Sequence, residues 1–487
     1  MDKILEHIEP RAVWQYFEQL NAVPRGSKKE DRIVQFMLDF GTGLGLEALK
    51  DDVGNVLIRK DATAGMGHCK TVILQSHLDM VHQKNNDTVF DFENQGITMY
   101  VDGDWVKAKG TTLGADNGLG VAAIMAVLAS TDIAHPPLEA LFTIDEETGM
   151  TGAKGLQKGL LNGSILLNLD TEDDSEIDIG CAGGVDITAR ISYTPEAVSP
   201  GSQAYTLAVK GLKGGHSGMD IHKGLGNANK ILNRILFELL PFDIRLAGIE
   251  GGGLRNAIPR ESTATLVVGR EDKEALFDTI SKLRSLLTKE YGHVEPELAI
   301  QLVESLASPE DVVPRKMHEK LIKAIYAAPN GVYRMSPAFD GLVETSNNIA
   351  RVDVGGGNIV VKCLTRSSVE SSKEDLSNAL RSCFELAGAH VELSGDYPGW
   401  TPDPDSAILR TVKETYMDLF GEEPQVVACH AGLECGILAG IYPGIDMVSF
   451  GPTIRGAHSP EERVSISSVR KFWSLLLAVL RNTPASS

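Results

Sequence analysis

Thr71–Met80 reads TVILQSHLDM, an apolar run that ends in a histidine and an aspartate two residues apart. Alternation along a strand sends residues i and i+2 to one face, so His77 and Asp79 are predicted to project together from the strand's carboxyl end. An imidazole beside a carboxylate at a sheet rim is either a polar exit from the strand or the start of a binding site. The ligands that the rest of the chain supplies decide between the two.

The neighbouring segments place that strand in a layered fold. Asn55–Arg59, Leu138–Ile144 and Ser164–Leu169 also read as strands. Lys28–Phe40 carries a helical stripe at Ile33, Phe36, Met37 and Phe40, and Leu119–Leu128 reads as a largely buried helix. Helix and strand signals alternate in this way to about Val185, as in an α/β layer architecture. From Asp186 to Tyr397 strands and helices continue without acidic strand ends: Ala204–Val209, Ala228–Leu240, Ser262–Val268 and Lys273–Leu287. Inside this stretch, Asn256–Arg260, a strand ending at Arg270 and a helix from Lys273 are weakly echoed by Asn348–Arg351, a strand ending at Arg366 and a helix from Lys373. The echo predicts two similar α+β halves. The Pro-rich segment Pro398–Pro404 marks a boundary, after which helices at 406–420 and 468–480 and a strand near 447–450 restore the first pattern. The expected fold class is therefore α/β: a discontinuous domain (1–185 and 398–487) with a mixed central sheet flanked by helices, interrupted by an inserted α+β domain (186–397).

Composition narrows the function classes. At 487 residues the chain exceeds the ~250–300 at which single cores stop growing, and 43% hydrophobic with 23% charged residues is ordinary for a globular protein. A formal net charge of -20 argues against a nucleic-acid backbone or an anionic membrane as partner. The six cysteines lack C-x-x-C spacing, the first ten residues carry charge instead of an apolar signal core, and the apolar stretches Gly120–Ala129 and Phe472–Leu480 fall short of the ~20 residues of a membrane span. These features predict a cytoplasmic protein with reduced thiols.

Acids and imidazoles recur near the predicted strand ends and loops: His77, Asp79, Asp116, Glu146, Glu147, Asp170 and His458. Carboxyl ends of strands in such a sheet share one edge, so groups distant in sequence converge there. Two histidines with several carboxylates suit Zn²⁺, or Mn²⁺ and Co²⁺ less selectively, and the number of carboxylates implies two ions. In extended backbone the neighbours Glu146 and Glu147 point apart, so one can ligate while the other takes a proton, although alone the pair reads as an ordinary acidic loop. Thr111–Gly120, TTLGADNGLG, lacks the G-K-[ST] ending of a phosphate loop, and its Asp116 would repel phosphate and make a better metal bridge. Asp79 is placed behind His77, accepting its other N–H and fixing its tautomer. His430 opens the glycine-bearing turn HAGLECG and is a candidate substrate contact. His82 and His222 read as structural or solvated, and Cys429 and Cys435 as small buried residues.

HLD at 77–79, GADNG at 114–118, DEETG at 145–149, NLD at 168–170, GGHSG at 214–218 and GAHSPEE at 456–462 occur in this order. Together they resemble the co-catalytic zinc peptidases, a family of cytosolic dipeptidases, tripeptidases, glutamate carboxypeptidases and aminoacylases. HAGLECG at 430–436 and the long insertion are similar to its aminoacyl-histidine dipeptidase branch. The resemblance implies that Asp116 bridges both ions, with a cis peptide to Asn117. It implies His77 and Asp170 on one ion, Glu147 and His458 on the other, Glu146 as general base, and Asp79 orienting His77. The discontinuous domain would be catalytic and the inserted domain a lid. In that lid His216 would bind substrate and stabilise the oxyanion, and Asn256 and Arg366 would hold the substrate's carbonyl or C-terminal carboxylate. Also implied are a small peptide substrate, unblocked Xaa-His dipeptides foremost, and a homodimer. An N-acyl amino-acid deacylase of the same family and a non-catalytic metal- or peptide-binding protein are the alternatives.

Overall fold

The computed structural model describes residues 4–305 and 309–486. The chain divides into two compact units: Met1–Gly180, Trp400–Ala428 and Leu433–Ser487 form the first, and Cys181–Gly399 with Cys429–Gly432 the second. Among the described residues no helix is long and apolar enough to cross a membrane, and no cysteine is in a disulfide.

The first unit is built on an eight-stranded sheet in the order Glu47–Lys50, Val56–Lys60, Leu138–Thr143, Val72–His77, Ile165–Asn168, Asp446–Ser449, Glu176–Cys181, Gln425–Cys429. Val72–His77 runs parallel to both of its neighbours, and Asp446–Ser449 runs parallel to Ile165–Asn168. Antiparallel strands flank this centre, so the sheet is mixed. Every residue of Val72–His77 and Leu138–Thr143 is buried, as expected of central strands covered on both faces. One cover is the helix Ala115–Ala129, whose residues from Asn117 to Leu128 are all buried; it packs on Val72–His77 and against the helix Arg11–Asn21. The C-terminal helix runs Ile466–Arg481, starting slightly before the expected Ser468, because Ser465 caps it by accepting the Ser468 N–H. Parallel register puts His77 level with Thr143, and Gln75 level with Asn168. The loops that follow these three strands therefore leave the sheet at one edge.

The second unit holds a nine-stranded sheet, with the order Ala299–Glu304, Gln203–Lys210, Ser262–Val268, Ile244–Gly252, Val343–Gly355, Asn358–Ser367, Gly183–Ser192, His390–Tyr397, and Gly331–Met335 paired to Val343–Gly355. Its pairings are antiparallel. Reading each half in chain order gives strand, helix, strand, strand, helix, strand with the same spatial order 4-1-3-2, and the two second strands meet at the centre. The first half is threaded between the first strand and first helix of the other. Ile231, Leu232, Ile235 and Leu236 of the helix Ala228–Glu238 pack with Leu207, Leu246 and Leu266 of the sheet in one apolar core. Two similar halves are thus present, but the echoed residues do not correspond. Asn348–Arg351 lie inside the strand Val343–Gly355, whereas 256–260 follow the strand Ile244–Gly252. Asn348 instead donates to the carbonyls of Arg255 (3.1 Å) and Ala257 (2.8 Å), gripping the loop that carries Asn256.

Candidate metal centre and the polar cluster of the second unit

His77 is the last residue of its strand and is fully enclosed. Its Nε2 lies 3.1 Å from Asp116 Oδ1 and 3.6 Å from Asp170 Oδ1, and its Nδ1 lies 3.3 Å from Asp79 Oδ1. The second oxygen of Asp116 is 3.1 Å from His458 Nε2, which is also 2.9 Å from Glu147 Oε2. Asp116 therefore spans two imidazoles, one with each oxygen. Possible ligand atoms fall into the groups His77, Asp116, Asp170 and Asp116, Glu147, His458, each within 4.8 Å, with Glu146 beside His77 and Glu147 in a third.

Asp116 is presented by a break in its helix: Asp116 and Asn117 have non-helical dihedrals and are joined by a cis peptide. Asn117 Nδ2 donates to the Leu169 carbonyl (2.9 Å) and to Asp170 Oδ1, tying this turn to the Asp170 strand. Two residues not singled out from the sequence hold the turn from either side. Glu462 accepts the N–H groups of Leu113 (2.7 Å), Gly114 (3.0 Å), Ala115 (2.7 Å) and Asp116 (3.3 Å). Buried Arg25 donates to the carbonyls of Leu78 (3.0 Å), Asp79 (3.2 Å) and Gly114 (2.5 Å). Gly114 has φ 71°, and a Cβ there would meet Arg25 Nη2 at 2.5 Å, so glycine is required on both counts.

Glu146 and Glu147 lie in a turn after the strand Leu138–Thr143, entered through Asp145 at φ 53°, so strand alternation is not what separates their side chains. Asp79 makes the turn: Oδ1 accepts the Glu146 N–H (3.0 Å), and Oδ2 accepts the Glu147 N–H (3.2 Å) and the Ser27 hydroxyl (2.8 Å). Asp79 itself lies past the strand end, so its position also comes from these bonds. It backs His77 and at the same time holds both glutamates. Among the described residues the Glu146 carboxylate makes no hydrogen bond or ion pair, and Glu147 Oε1 is buried without a partner.

The charges fit a cation-seeking site. Hydrogen bonds to Asp116 and Glu147 push His458 up to about 11. Burial alone would lower His77, but Asp170, Asp116 and Asp79 hold it well above the usual imidazole range. Burial would raise Asp79, and its bonds to His77 and Ser27 bring it down to about 2. Glu146 is held well above the usual carboxylate range by burial, with the Asp170, Glu434 and Glu147 charges adding to it. Glu434 is a further carboxyl that sequence reasoning passed over inside HAGLECG. It is enclosed, its Oε2 accepts from Gln75 Nε2 (2.8 Å) and Thr143 Oγ1 (2.6 Å), and burial pushes it up to about 7. An acid inside the otherwise apolar run LECGILAG was the signal available.

In the second unit, His216, Asn256, Arg366 and His430 are gathered into one neighbourhood. His216 bridges to Ala257, and the Ser217 N–H donates to the Asn256 carbonyl at 2.7 Å. A Cβ on Gly218 would meet the His430 carbonyl at 2.1 Å, so the GGHSG loop lies directly against His430. His216 Nδ1 accepts from the N–H groups of Gly218 (3.2 Å) and Met219 (3.0 Å), which puts the proton of the neutral ring on Nε2. Burial and the Arg366 charge lower His216 and push His430 down to about 3; His430 Nε2 lies 2.8 Å from Ser346 Oγ. Buried Arg366 donates to Tyr397 Oη at 2.8 Å and keeps Nε without a partner. The Asn256 side chain is exposed. His82, set aside from the sequence as structural, stacks on Phe92 at 4.3 Å.

Residues 73–482 match the model of Peptidase family M20/M25/M40. Over 482 residues the chain is 46% identical to the cytosol non-specific dipeptidase of Escherichia coli strain K12, with 99% of each chain covered. The crystal structure of aminoacylhistidine dipeptidase from Vibrio alginolyticus is similar at TM-score 0.95 and 44% identity, covering 99% of both chains. Aminopeptidase PepT from Bacillus cereus ATCC 10987 shares the fold at TM-score 0.57 and 16% identity, over 98% of this chain and 99% of that one. The chain belongs to peptidase family M20/M25/M40.

Proposed function

We propose that this chain is a cytoplasmic metal-dependent dipeptidase that hydrolyses unblocked dipeptides, Xaa-His dipeptides among them, with Glu146 as general base. The observation that carries the reading is Asp116, whose two oxygens each meet a different histidine, His77 and His458. Three carboxylates, among them Glu147 with its orphaned Oε1, and two imidazoles form a mixed N/O donor set that fits two divalent ions, zinc first and manganese or cobalt as alternatives. His77, Asp170 and Asp116 would hold one, and Glu147, His458 and Asp116 the other. When bound, such a pair supplies Lewis acidity for the scissile carbonyl and lowers the pKa of a water.

The chain's own groups do the rest. Glu146, with no bond tying down its carboxylate, takes the proton of the attacking water and returns it to the departing amine. Asp79 keeps Glu146 and Glu147 in their turn while backing His77. His216, with its proton on Nε2, donates to the developing oxyanion. Arg366 receives the C-terminal carboxylate, for which a guanidinium offers a two-pronged partner, and its neighbours Asn256 and His430 are the further substrate contacts. The relatives named as dipeptidase and aminoacylhistidine dipeptidase support this substrate class over N-acyl amino acids.

The test is Glu146→Gln in metal-replete enzyme. Turnover of an Xaa-His dipeptide is expected to fall by roughly 10²- to 10⁴-fold, with metal content by elemental analysis unchanged. Undiminished turnover would overturn the mechanism, and a wild type that cleaves N-acetyl amino acids but no free dipeptide would favour the deacylase.

A further inference from the structure

A line of buried polar side chains crosses the sheet of the first unit. Glu434 Oε2 accepts from Thr143 Oγ1 (2.6 Å) and Gln75 Nε2 (2.8 Å), and Gln75 Nε2 also lies 3.1 Å from Thr143 Oγ1. Gln75 Oε1 accepts from Asn168 Nδ2, and Asn168 Oδ1 accepts from Ser449 Oγ. Ser449 Oγ lies 2.8 Å from Thr171 Oγ1, which lies 2.7 Å from Asp178 Oδ2. Thr143, Gln75, Asn168, Ser449 and Asp178 come from successive strands of the sheet, and every member of the line is buried. A carboxyl stands at each end. Thr143 is level with His77, and Gln75 is two residues before it, so their shared partner Glu434 sits at the strand ends that lead to the candidate centre.

The protons give the line a direction. Asn168 Oδ1, Ser449 Oγ, Thr171 Oγ1 and Asp178 Oδ2 make three contacts in series, for which the two hydroxyls supply two protons. Asn168 Oδ1 can only accept, so the third proton belongs to Asp178. Without it two buried oxygens would face each other bare, at the cost of an unmade hydrogen bond. Turning both amides round would let the proton leave Asp178. Gln75 Oε1, Thr143 Oγ1 and Glu434 Oε2 would then form three contacts with two protons, even with Glu434 protonated. As the amides stand, Gln75 gives one N–H to Glu434 and one to Thr143, Thr143 gives its O–H to Glu434, and every contact carries a proton.

We propose that Asp178 is held as a neutral acid donating to Thr171, and that Glu434 at the other end of the line is the anion. Where two ions bind as proposed above, that anion strengthens their hold, an effect that rests on the two-ion reading as the proton assignment does not. Burial pushes both carboxyls up to about 7 and so does not choose between them. Their surroundings agree with the proton count. Glu434 opens the helix Glu434–Ile441, where the N-terminus favours negative charge, and the His77 charge also favours its ionised form. The charges acting on Asp178 are those of the acids Glu176 and Asp170, which favour its neutral form. Glu434 Oε1 is buried without a partner, so part of its charge is answered through space and not by a donor.

The experiment takes infrared difference spectra of zinc-treated protein at neutral pH, wild type against Asp178→Asn and against Glu434→Gln. A carbonyl band of a protonated carboxyl is expected to disappear in Asp178→Asn and to persist in Glu434→Gln. An amide at 178 can donate to Thr171 as the acid does, so that variant keeps the line intact. Isotope-labelled aspartate in wild-type protein makes the same reading without any substitution, by moving the band. A band kept in Asp178→Asn, lost in Glu434→Gln or unmoved by the label would overturn the proton assignment. Competition for zinc with a chelator reads the charge. Glu434→Gln is expected to weaken zinc binding roughly tenfold or more, because it removes a unit charge near a dication, while Asp178→Asn stays within about twofold of wild type. Wild-type affinity in Glu434→Gln, or an equal loss in Asp178→Asn, would overturn the role given to the Glu434 charge. A wild type that binds no zinc fails the two-ion reading, and the spectra of that same protein still decide where the proton lies.

Discussion

Asp116 and Glu147 hold His458 up to about 11, whereas burial and Arg366 push His430 down to about 3. The contrast extends beyond this pair: His77 of the first unit is raised with His458, and His216 and His318 of the second are lowered with His430. At His77 and His458 carboxylates keep protons on the imidazoles, so a dication can take the place of those protons and gain the full attraction of the acids, whereas burial lowers His82 and His135 of the same unit. At His216, His318 and His430 of the second unit, burial and nearby arginines favour the neutral ring. A neutral ring held by its neighbours, as His216 is through Nδ1, has a fixed tautomer and a defined donor. On the proposed reading, the same residue type serves as a metal ligand at His77 and His458 and as an oriented hydrogen-bonding group at His216.

Removing one histidine from each unit gives the largest test of that division. His77→Ala should lose an ion by elemental analysis and lower turnover on the order of 10³-fold or more, since several kcal/mol of transition-state stabilisation go with the ion. His430→Ala should keep the full metal content and lower kcat/KM by about tenfold. Metal loss from the His430 variant would break the comparison.

A smaller effect is expected at Glu462, which acts on the ligands only through the backbone. Glu462→Gln replaces one accepting oxygen by an amide that cannot accept, so two of the four N–H groups in the Leu113–Asp116 turn lose their partner. Groups that orient ligands usually cost 10- to 100-fold when changed, and metal affinity measured by competition with a chelator should drop within about that range. An affinity equal to wild type would show that the cis turn holds Asp116 without Glu462.

The ease of reading these parts from sequence follows from how each is specified. His77, Asp116, Glu147, Asp170 and His458 announce themselves because a polar residue at the end of an apolar strand, or in a glycine-bracketed loop, interrupts a regular pattern. The convergence of His77 with Asp170 and the Glu146–Glu147 turn follows from parallel register, as when His77 stands level with Thr143, whereas Asp116 is brought in by the broken start of a helix and His458 by the loop after Ile454–Arg455. Glu462 and Arg25 were not legible, because each sits among other charged residues and its role is defined by backbone groups far away along the chain. Strand alternation would separate Glu146 from Glu147, whereas the structure places them in a turn made by Asp79, a contact across more than sixty residues that local propensity does not encode. In the second unit the strand and helix types could be read, but the echo matched letters instead of positions. Asn348 and Asn256 proved to be neighbours in space, with the side chain of one binding the loop of the other.

The smallest effect is a stability change at His318, which separates neutral-histidine behaviour from substrate binding. His318 is buried on the helix Arg315–Ala327, its Nε2 has no partner, and burial, with the Arg245 and Arg315 charges adding and Glu319 opposing, pushes it down to about 4 from the usual 6.5. The folded chain resists protonating this ring while the unfolded chain accepts the proton below 6.5. Its contribution is therefore complete above that pH and is lost as pH falls towards about 4. At about 1.4 kcal/mol per pH unit, the 2.5-unit interval sets a ceiling of about 3 kcal/mol. His318→Leu removes the titration, so the difference in Tm between variant and wild type should move in the variant's favour from pH 6.5 to 4 and then level off. A difference that stays constant across that range would mean that His318 protonates as readily in the folded chain as in water, and that burial with two arginines nearby does not keep a histidine of this unit neutral.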